Sequence, residues 1–193
     1  MVGIIEYTGG NATSVKWALD AIGVPNILSS DPDVLSQCDR LIFPGVGAAP
    51  SAKKGLEVNG LWSFVQTWNK PFLGICLGMQ LLFDGSDEGN TTGLGVMQGK
   101  VEQLSGPRKV NMGWRKLENT EGPLFAGIPK EAMFYFVHQF ANLKSVNQIG
   151  MSLFGSPFSA AVQNKSFFGV QFHPEKSGKN GLQLLKNFAT WKE

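Results

Sequence analysis

Residues 74–78, which read Gly-Ile-Cys-Leu-Gly, constrain the fold of this chain more than any other segment. They follow the apolar run at residues 71–73 and precede residues 79–83, whose apolar side chains have helical spacing. A strand, a nucleophile between small residues and a helix make up a nucleophile elbow, a turn too tight for larger neighbours. The segment therefore predicts an α/β fold in which Cys76 stands clear of a strand end as a nucleophile.

A second feature supplies a base for this thiol. The chain has two histidines, and His173 lies in a Phe-His-Pro-Glu segment at residues 172–175. In an extended segment, side chains two residues apart project to the same face, so Glu175 can hold one ring nitrogen of His173. The other ring nitrogen is then free to take the thiol proton. The sequence therefore predicts a triad of Cys76, His173 and Glu175, assembled by the fold.

The composition excludes several classes of protein. The 193 residues, 42% hydrophobic and 17% charged, fit one globular domain over residues 1–193 and argue against disorder. A net charge of +2 without a basic cluster gives no reason to expect nucleic-acid binding. No apolar stretch approaches the roughly 20 residues that cross a membrane, and the N-terminus reads as a strand, not a signal peptide. Two cysteines make no disulfide framework, so we expect a reducing, cytoplasmic location.

Hydrophobic patterning predicts an open sheet, mostly parallel with an antiparallel extension and with helices on both faces. In the first half, short strands alternate with helices. The strands are expected at residues 2–6, 25–28 and 40–43, and the helices at 13–22, 33–37 and 61–68. The second half is denser in strand patterns, which predicts the antiparallel extension. Those strands are expected at residues 95–104, 109–117, 133–137, 160–163 and 167–172, before a closing helix over 181–191.

Six segments, taken together and in chain order, resemble the class I, triad-type glutamine amidotransferases. The marks of that class are a Gly-x-Cys-x-Gly elbow and a late His-x-Glu. Within the class, the chain is most similar to the glutaminase subunits of imidazole glycerol phosphate synthases. The segments are Gly10-Asn11 with Ser14-Val15, and residues 44–47, 74–80, 112–114, 135–138 and 173–177.

The resemblance implies hydrolysis of L-glutamine to glutamate and ammonia, without a metal or cofactor. Cys76 would attack the side-chain carboxamide and form a glutamyl thioester, which water then cleaves. The elbow places the N–H of Leu77 for the oxyanion hole, and the resemblance puts the second donor at Val46. The resemblance also implies a set of glutamine-binding residues. These are Gly45, Gln80, Glu88, His138, Gln139 and Phe140.

The resemblance further implies a partner, because in this family the ammonia passes through a (β/α)₈-barrel cyclase subunit. On this basis the chain is half of a heterodimer that makes imidazole glycerol phosphate in histidine biosynthesis. Asn11, Tyr135 and Lys176 match family positions at or near the subunit interface.

The chain also departs from the family pattern. Val110 and Asn111 stand where Pro-His is usual, Arg115 replaces a frequent Asn, and Gln139 follows His138 where Ser or Thr is common. These departures leave open a different ammonia acceptor, such as a sugar nucleotide in surface-polysaccharide synthesis. A non-catalytic glutamine-binding subunit is a further alternative, although its expected mark is a broken triad. All three triad residues are present.

Overall fold

Across residues 1–7, 11–105 and 108–192, the computed structural model contains thirteen β-strands and six α-helices. The strands are β1 Val2–Ile5, β2 Asn26–Ser29, β3 Arg40–Gly45, β4 Phe72–Cys76, β5 Phe83–Ser86, β6 Thr91–Thr92, β7 Met97–Gln103, β8 Asn111–Lys116, β9 Met133–His138, β10 Phe140–Ala141, β11 Gln148–Phe154, β12 Ser156–Asn164 and β13 Phe167–Val170. The helices are α1 Ala12–Ala21, α2 Pro32–Ser36, α3 Ala49–Val58, α4 Leu61–Thr67, α5 Leu77–Gln80 and α6 Gly178–Thr190. None of these helices is long and apolar enough to span a membrane.

The main sheet has seven strands in the order β11-β12-β13-β4-β3-β1-β2. The five strands from β13 to β2 are parallel, and β12 and β11 continue the sheet in antiparallel pairing. The predicted mostly parallel sheet with an antiparallel extension is confirmed. Because β4 lies between β3 and β13, its carboxyl end, Cys76, emerges at the middle of the sheet edge where sites of open α/β folds gather.

Helices cover both faces of this sheet, as predicted. Successive strand residues point to opposite faces, so Ile4 packs in one apolar cluster and Ile5 in the other. The first cluster holds α1 and α6 through Val15, Leu19, Leu184, Leu185 and Phe188. The second holds α3 and α4 through Ala52, Leu56, Leu61 and Val65. Burial of these side chains fixes the sheet from both sides and leaves its carboxyl edge to the loops.

The second half of the chain differs from the prediction in its sheet assignment. The strand patterns at 95–104, 109–117 and 133–137 form β7, β8 and β9, but none of these joins the main sheet. One small sheet has the order β10-β7-β5-β6, and β8 pairs with β9 in a separate two-stranded ribbon. Alternating burial within a strand identifies the strand but does not say which neighbour it pairs with.

Candidate active site

The turn at Cys76 joins β4 to α5 through a strained backbone conformation. Cys76 has φ 54° and ψ −107°, and residues other than glycine rarely adopt a positive φ. Such strain costs about 1–3 kcal/mol and persists only where surrounding contacts enforce it. A Cβ on Gly74 would lie 2.5 Å from the carbonyl oxygen of Gly78, and one on Gly78 would lie 2.1 Å from that of Phe43. This is the geometry of a nucleophile elbow, in which the neighbours have no room for side chains.

His173 and Glu175 form a buried pair shortly after β13. Nδ1 of His173 lies 2.7 Å from Oε1 of Glu175, and the two side chains are 1% and 0% exposed. An ionised carboxylate can only accept, so Nδ1 donates and Nε2 is left for a second partner. The pair meets through the 3₁₀ turn Pro174–Lys176, whereas the sequence predicted an extended segment. The proline explains the difference, because its fixed φ suits the first position of a helical turn.

The second ring nitrogen of His173 is the one available to the thiol. Nε2 is buried and makes no hydrogen bond of acceptable geometry to any described residue. Burial lowers the pKa of His173, but contacts with the side chains of Cys76 and Glu175 outweigh it and raise the pKa to about 10. The sulfur of Cys76 lies 3.9 Å from the carbonyl oxygen of Val137, and Nε2 of Gln171 donates to that sulfur at 3.6 Å. Because the pKa of His173 is above neutral pH, the ring is a cation there, and its Nε2 carries a proton.

A cavity of about 290 Å³ opens in front of the thiol, a size that suits an amino acid. Its lining consists of Val46, Gly47, Cys76, Leu77, Gln80, Glu88, Val110, Val137, His138, Gln139 and Phe140. The fold therefore brings together both expected oxyanion-hole residues and most of the expected glutamine-binding residues. Gly45 lies outside this lining. It pairs with Cys76 across β3 and β4, and a Cβ there would lie 2.7 Å from that of Leu77.

The loop after β3 is held beside the elbow by a buried tyrosine. The hydroxyl of Tyr7 donates a 3.3 Å hydrogen bond to the carbonyl oxygen of Val46. Burial raises the pKa of Tyr7 to about 12, so the hydroxyl remains a donor at neutral pH. Leu77 also lines the cavity and is the first residue of α5, where a helix N–H has no intrahelical partner. The role of Tyr7 was not predicted from the sequence, although this residue follows β1 at the sheet edge where sites collect.

Gln80 and Glu88 line the same cavity and are both held by hydrogen bonds. Oε2 of Glu88 accepts a 2.8 Å hydrogen bond from the N–H of Ala49, the first residue of α3. Nε2 of Gln80 donates to the carbonyl oxygen of Phe140 at 2.7 Å and to Oε1 of Gln171 at 3.1 Å. Gln171 therefore links Gln80 to the sulfur. Its role was not predicted from the sequence, although it lies two residues before His173.

His138 is engaged at both ring nitrogens. Nε2 lies 2.8 Å from Nδ2 of Asn111, and Nδ1 lies 2.9 Å from the carbonyl oxygen of Phe140. Burial lowers the pKa of His138 to about 4, so the ring is neutral at neutral pH. Its contacts and charge state make it a wall of the cavity and leave no free nitrogen to act as a base.

The three residues expected at a subunit interface all adjoin the His173–Glu175 pair. Asn11 donates a 2.6 Å hydrogen bond to Oε1 of Glu175, and the carbonyl oxygen of Tyr135 accepts from the N–H of His173 at 2.9 Å. Lys176 is exposed and directly follows Glu175. Close by along β8 and β9 lies an exposed apolar face. Its large side chains are Met112, Trp114 and Met133, with the half-buried Tyr135 against Trp114.

Comparison with known proteins agrees with this architecture. The family model described as glutamine amidotransferase class-I matches residues 17–191. The solved structure of PurLQS from Thermotoga maritima superposes with a TM-score of 0.73 over 97% of this chain and 96% of that chain, at 21% identity. A structure described as a glutamine amidotransferase gives a TM-score of 0.72 over 97% and 96% of the two chains, at 19% identity. At these identities the structural likeness establishes the fold alone.

Sequence relatives are much nearer. The imidazole glycerol phosphate synthase subunit HisH of Mannheimia succiniciproducens is 45% identical over 188 residues, which cover 96% of this chain and 97% of that protein. The HisH subunit of Haemophilus influenzae is 42% identical over 96% of this chain and 94% of its own length.

The chain therefore belongs to the class-I glutamine amidotransferase family and is a glutamine-hydrolysing enzyme. Within that family its place is among the HisH glutaminase subunits of imidazole glycerol phosphate synthase, which serve histidine biosynthesis.

Proposed function

We propose that this chain cleaves L-glutamine through Cys76, His173 and Glu175 and delivers the ammonia to a (β/α)₈-barrel cyclase subunit. The observation that carries the proposal is the buried His173–Glu175 pair, joined at 2.7 Å, beside a thiol on a strained elbow. That thiol faces a cavity whose lining includes Gln80 and Glu88. The product of the assembled enzyme would be imidazole glycerol phosphate.

The chemistry would proceed in two halves. In the first, the proton of the thiol passes to Nε2 of His173 before attack, as the raised pKa of that ring favours, and the sulfur of Cys76 then bonds to the carboxamide carbon. His173 then returns that proton to the leaving nitrogen, which departs as ammonia. In the second half, water attacks the thioester with His173 as base, and glutamate leaves. Glu175 keeps Nδ1 protonated and the ring in place throughout.

Two backbone N–H groups would stabilise the oxyanion that forms in each half. Leu77 offers one from the start of α5, and Val46 offers the other from the loop that Tyr7 holds. A correctly aimed donor of this kind is worth about 3 kcal/mol of transition-state stabilisation. For the rest of the substrate, Glu88 has a carboxylate positioned to receive the α-ammonium. The backbone at Gln139, which lines the same cavity, would receive the α-carboxylate.

The exposed apolar face of β8 and β9 supports a protein partner on this side of the molecule. Met112 and Trp114 are 64% and 52% exposed, and Met133 is 41% exposed. Large apolar side chains grouped on a surface are typical of protein interfaces, and aromatic residues are enriched there. The same ribbon carries Val137, which contacts the thiol, so a partner docked here would sit next to the site of ammonia release.

Two of the departures from the family pattern, Asn111 and Arg115, concern the wall of the cavity and not the exposed face that a partner would contact. Asn111 is fully buried, and Arg115 bonds to it. Their side chains therefore lie behind the glutamine cavity and away from the exposed face. This weakens the reason for assigning a different acceptor. A cytoplasmic location is also inferred, because the mechanism needs a reduced thiol and Cys38 and Cys76 are both free.

Labelling with a glutamine-analogue electrophile tests the proposal. The full chain, bound to the barrel subunit, is treated with 6-diazo-5-oxo-norleucine and digested for mass spectrometry. We expect one adduct on Cys76, protection by L-glutamine, and loss of the adduct in Cys76→Ala. Cys38 is a matched internal control, because it is fully buried and burial raises its pKa. Absence of an adduct on Cys76 in the complex would overturn the nucleophile assignment.

The acceptor is tested separately with amide-¹⁵N glutamine. The complex should transfer the label into imidazole glycerol phosphate. If labelled ammonia accumulates while the barrel subunit makes no imidazole product, the assignment of the partner is wrong although the glutaminase stands.

A further inference from the structure

A chain of three hydrogen bonds runs behind the glutamine cavity. Nε of Arg115 donates to Oδ1 of Asn111, Nδ2 of Asn111 lies 2.8 Å from Nε2 of His138, and Nδ1 of His138 lies 2.9 Å from the carbonyl oxygen of Phe140. Asn111 and His138 are direct partners in the register of β8 and β9, so their side chains share one face of the ribbon. The arrangement is therefore set by the strand pairing.

The two ends of this chain fix the direction of every hydrogen bond in it. A guanidinium can only donate and a carbonyl oxygen can only accept. Oδ1 of Asn111 must therefore face Arg115, which turns the amide N–H toward His138. At the other end, His138 must donate from Nδ1 to Phe140, so its Nε2 accepts from Asn111. Both ends agree on one state, in which His138 is the neutral imidazole with its proton on Nδ1.

The surroundings of His138 oppose any other state. The ring is 6% exposed and lies 5.7 Å from the ring of Phe136 and 5.1 Å from that of Phe158. Burial is the main cause of its low pKa, and the charges of His173 and Arg115 lower it further. A proton on Nε2 would oppose the amide N–H of Asn111. The amide cannot turn over to relieve this, because its N–H would then oppose Arg115.

The consequence reaches the cavity through the carbonyl of Phe140, which accepts from both His138 and Nε2 of Gln80. Both donors line the cavity together with Phe140 itself. We propose that Arg115 and Asn111 are positioning residues for glutamine binding. They lock His138 with its proton on Nδ1, and His138 in turn holds the Phe140 carbonyl that anchors Gln80. The identity of the ligand as glutamine rests on the proposed function. The fixed tautomer of His138, called the lock below, does not.

Long-range ¹H–¹⁵N spectra of the full chain test the lock directly, because the protein has two histidines and His138→Gln assigns them. We expect His138 to show a protonated Nδ1 and an unprotonated Nε2 from about pH 8 down to about pH 5. In Asn111→Asp, the carboxylate accepts from Arg115 and from the ring together, so both ring nitrogens should carry protons at neutral pH. Asn69→Asp adds the same charge at an exposed site and should leave His138 unchanged.

A wild-type ring protonated on Nε2, or one that titrates near the ordinary value of 6.5, would overturn the proposal. If Asn111→Asp does not fold, Arg115→Met and Arg115→Lys give the same test at a half-buried position. Met removes the donor and should give mixed tautomers, whereas Lys retains a donor and should keep the proton on Nδ1.

Kinetics of the complex then connect the lock to glutamine. Arg115→Met should raise KM for glutamine about fivefold and leave kcat and ammonium-dependent synthesis nearly unchanged, and Arg115→Lys should restore KM. An unchanged KM in Arg115→Met despite a mixed tautomer would remove the positioning role. A wild-type complex that does not cleave glutamine would instead refute the proposed function, and the tautomer result would stand by itself.

Discussion

Asn11 and His173 donate hydrogen bonds to the same oxygen of Glu175, at 2.6 Å and 2.7 Å. Asn11 occupies the N-cap position of α1, but its side chain makes no capping hydrogen bond there. The other oxygen of Glu175 is buried and has no hydrogen-bond partner among the described residues. Asn11, which is expected at the subunit interface, therefore also helps to orient the carboxylate that pairs with His173.

Removal of this contact should slow the glutaminase. Asn11→Ala deprives the carboxylate of one of its two donors, and a hydrogen bond to a charged group is worth about 1.5–3 kcal/mol. We expect kcat for glutamine-dependent synthesis to fall by about tenfold or more, while synthesis from ammonium salts is unchanged. Asn59→Ala, at the exposed end of α3, is the control. An effect of equal size on both nitrogen sources would indicate a change in the partner subunit or in assembly.

Assays with glutamine and with ammonium salts should also distinguish the roles of the three proposed triad residues. Cys76→Ala and His173→Ala should each lower glutamine-dependent synthesis by at least about a thousandfold, because neither the thioester nor the proton transfer can form. Glu175→Gln should lose less, because an amide oxygen can still accept from His173 and Asn11. All three variants should retain ammonium-dependent synthesis in a steady-state assay of the complex. Loss of both activities would contradict the division of labour between subunits.

The alkaline stability of the protein should depend on His173. Its pKa in the folded state, about 10, is above the ordinary value of 6.5, so its contribution to stability is complete below about pH 6.5. That contribution is lost as the pH rises toward about 10. Urea unfolding across this range should show a decline in the free energy of unfolding that is shallower in His173→Gln. Parallel curves for the two proteins would show that the ring is not held as a cation.

The stability of the protein at acid pH should depend on His138, with a pH dependence opposite to that of His173. Its pKa is lowered to about 4, so the folded state favours the neutral ring, and the stabilising contribution is present above the ordinary 6.5. It is lost as the pH falls from about 6.5 toward 4. His138→Gln should therefore flatten the acid limb of the stability curve without altering the alkaline limb. The same steep acid limb in the variant would assign the loss to other groups.

The elbow should reject even one added methyl group. Gly78→Ala places a Cβ 2.1 Å from the carbonyl oxygen of Phe43, which β3 cannot move without disturbing its pairing with β4. We expect a loss of about 3 kcal/mol in the free energy of unfolding by urea. Gly55→Ala, within α3, is the matched control. The added Cβ would lie 3.6 Å from the ring of Tyr7, which is an ordinary van der Waals contact. This substitution should be neutral or stabilising by about 0.5–1 kcal/mol.

The elbow could be predicted from the sequence because its constraints are local. Gly74 and Gly78 indicate a turn without room for side chains, and the flanking apolar runs indicate a strand and core packing. In contrast, α3 was not predicted, because its buried face consists mainly of Ala49 and Ala52, which barely change the hydrophobic pattern. Local residue patterns fail where the packed side chains are small.

Two contacts between distant polar residues were not predicted from the sequence. Gln171 reaches the sulfur of Cys76 across 95 positions, and Tyr7 reaches Val46 across 39. Each is an ordinary polar residue whose role depends on which strand lies beside which. The 3₁₀ turn at Pro174–Lys176 was missed for a different reason, since a proline is compatible with both an extended segment and the start of a helical turn.

Strands β4 and β13 run side by side, with Ile75 opposite Val170. Cys76 follows this pair by one residue at the end of β4, and His173 follows it by three residues, just beyond the end of β13. The distance between sulfur and imidazole is thus governed by the alignment of two adjacent strands and not by the length of polypeptide that connects them. Loops in that connecting stretch could lengthen or shrink during evolution without separating Cys76 from His173, provided that these two strands kept their alignment.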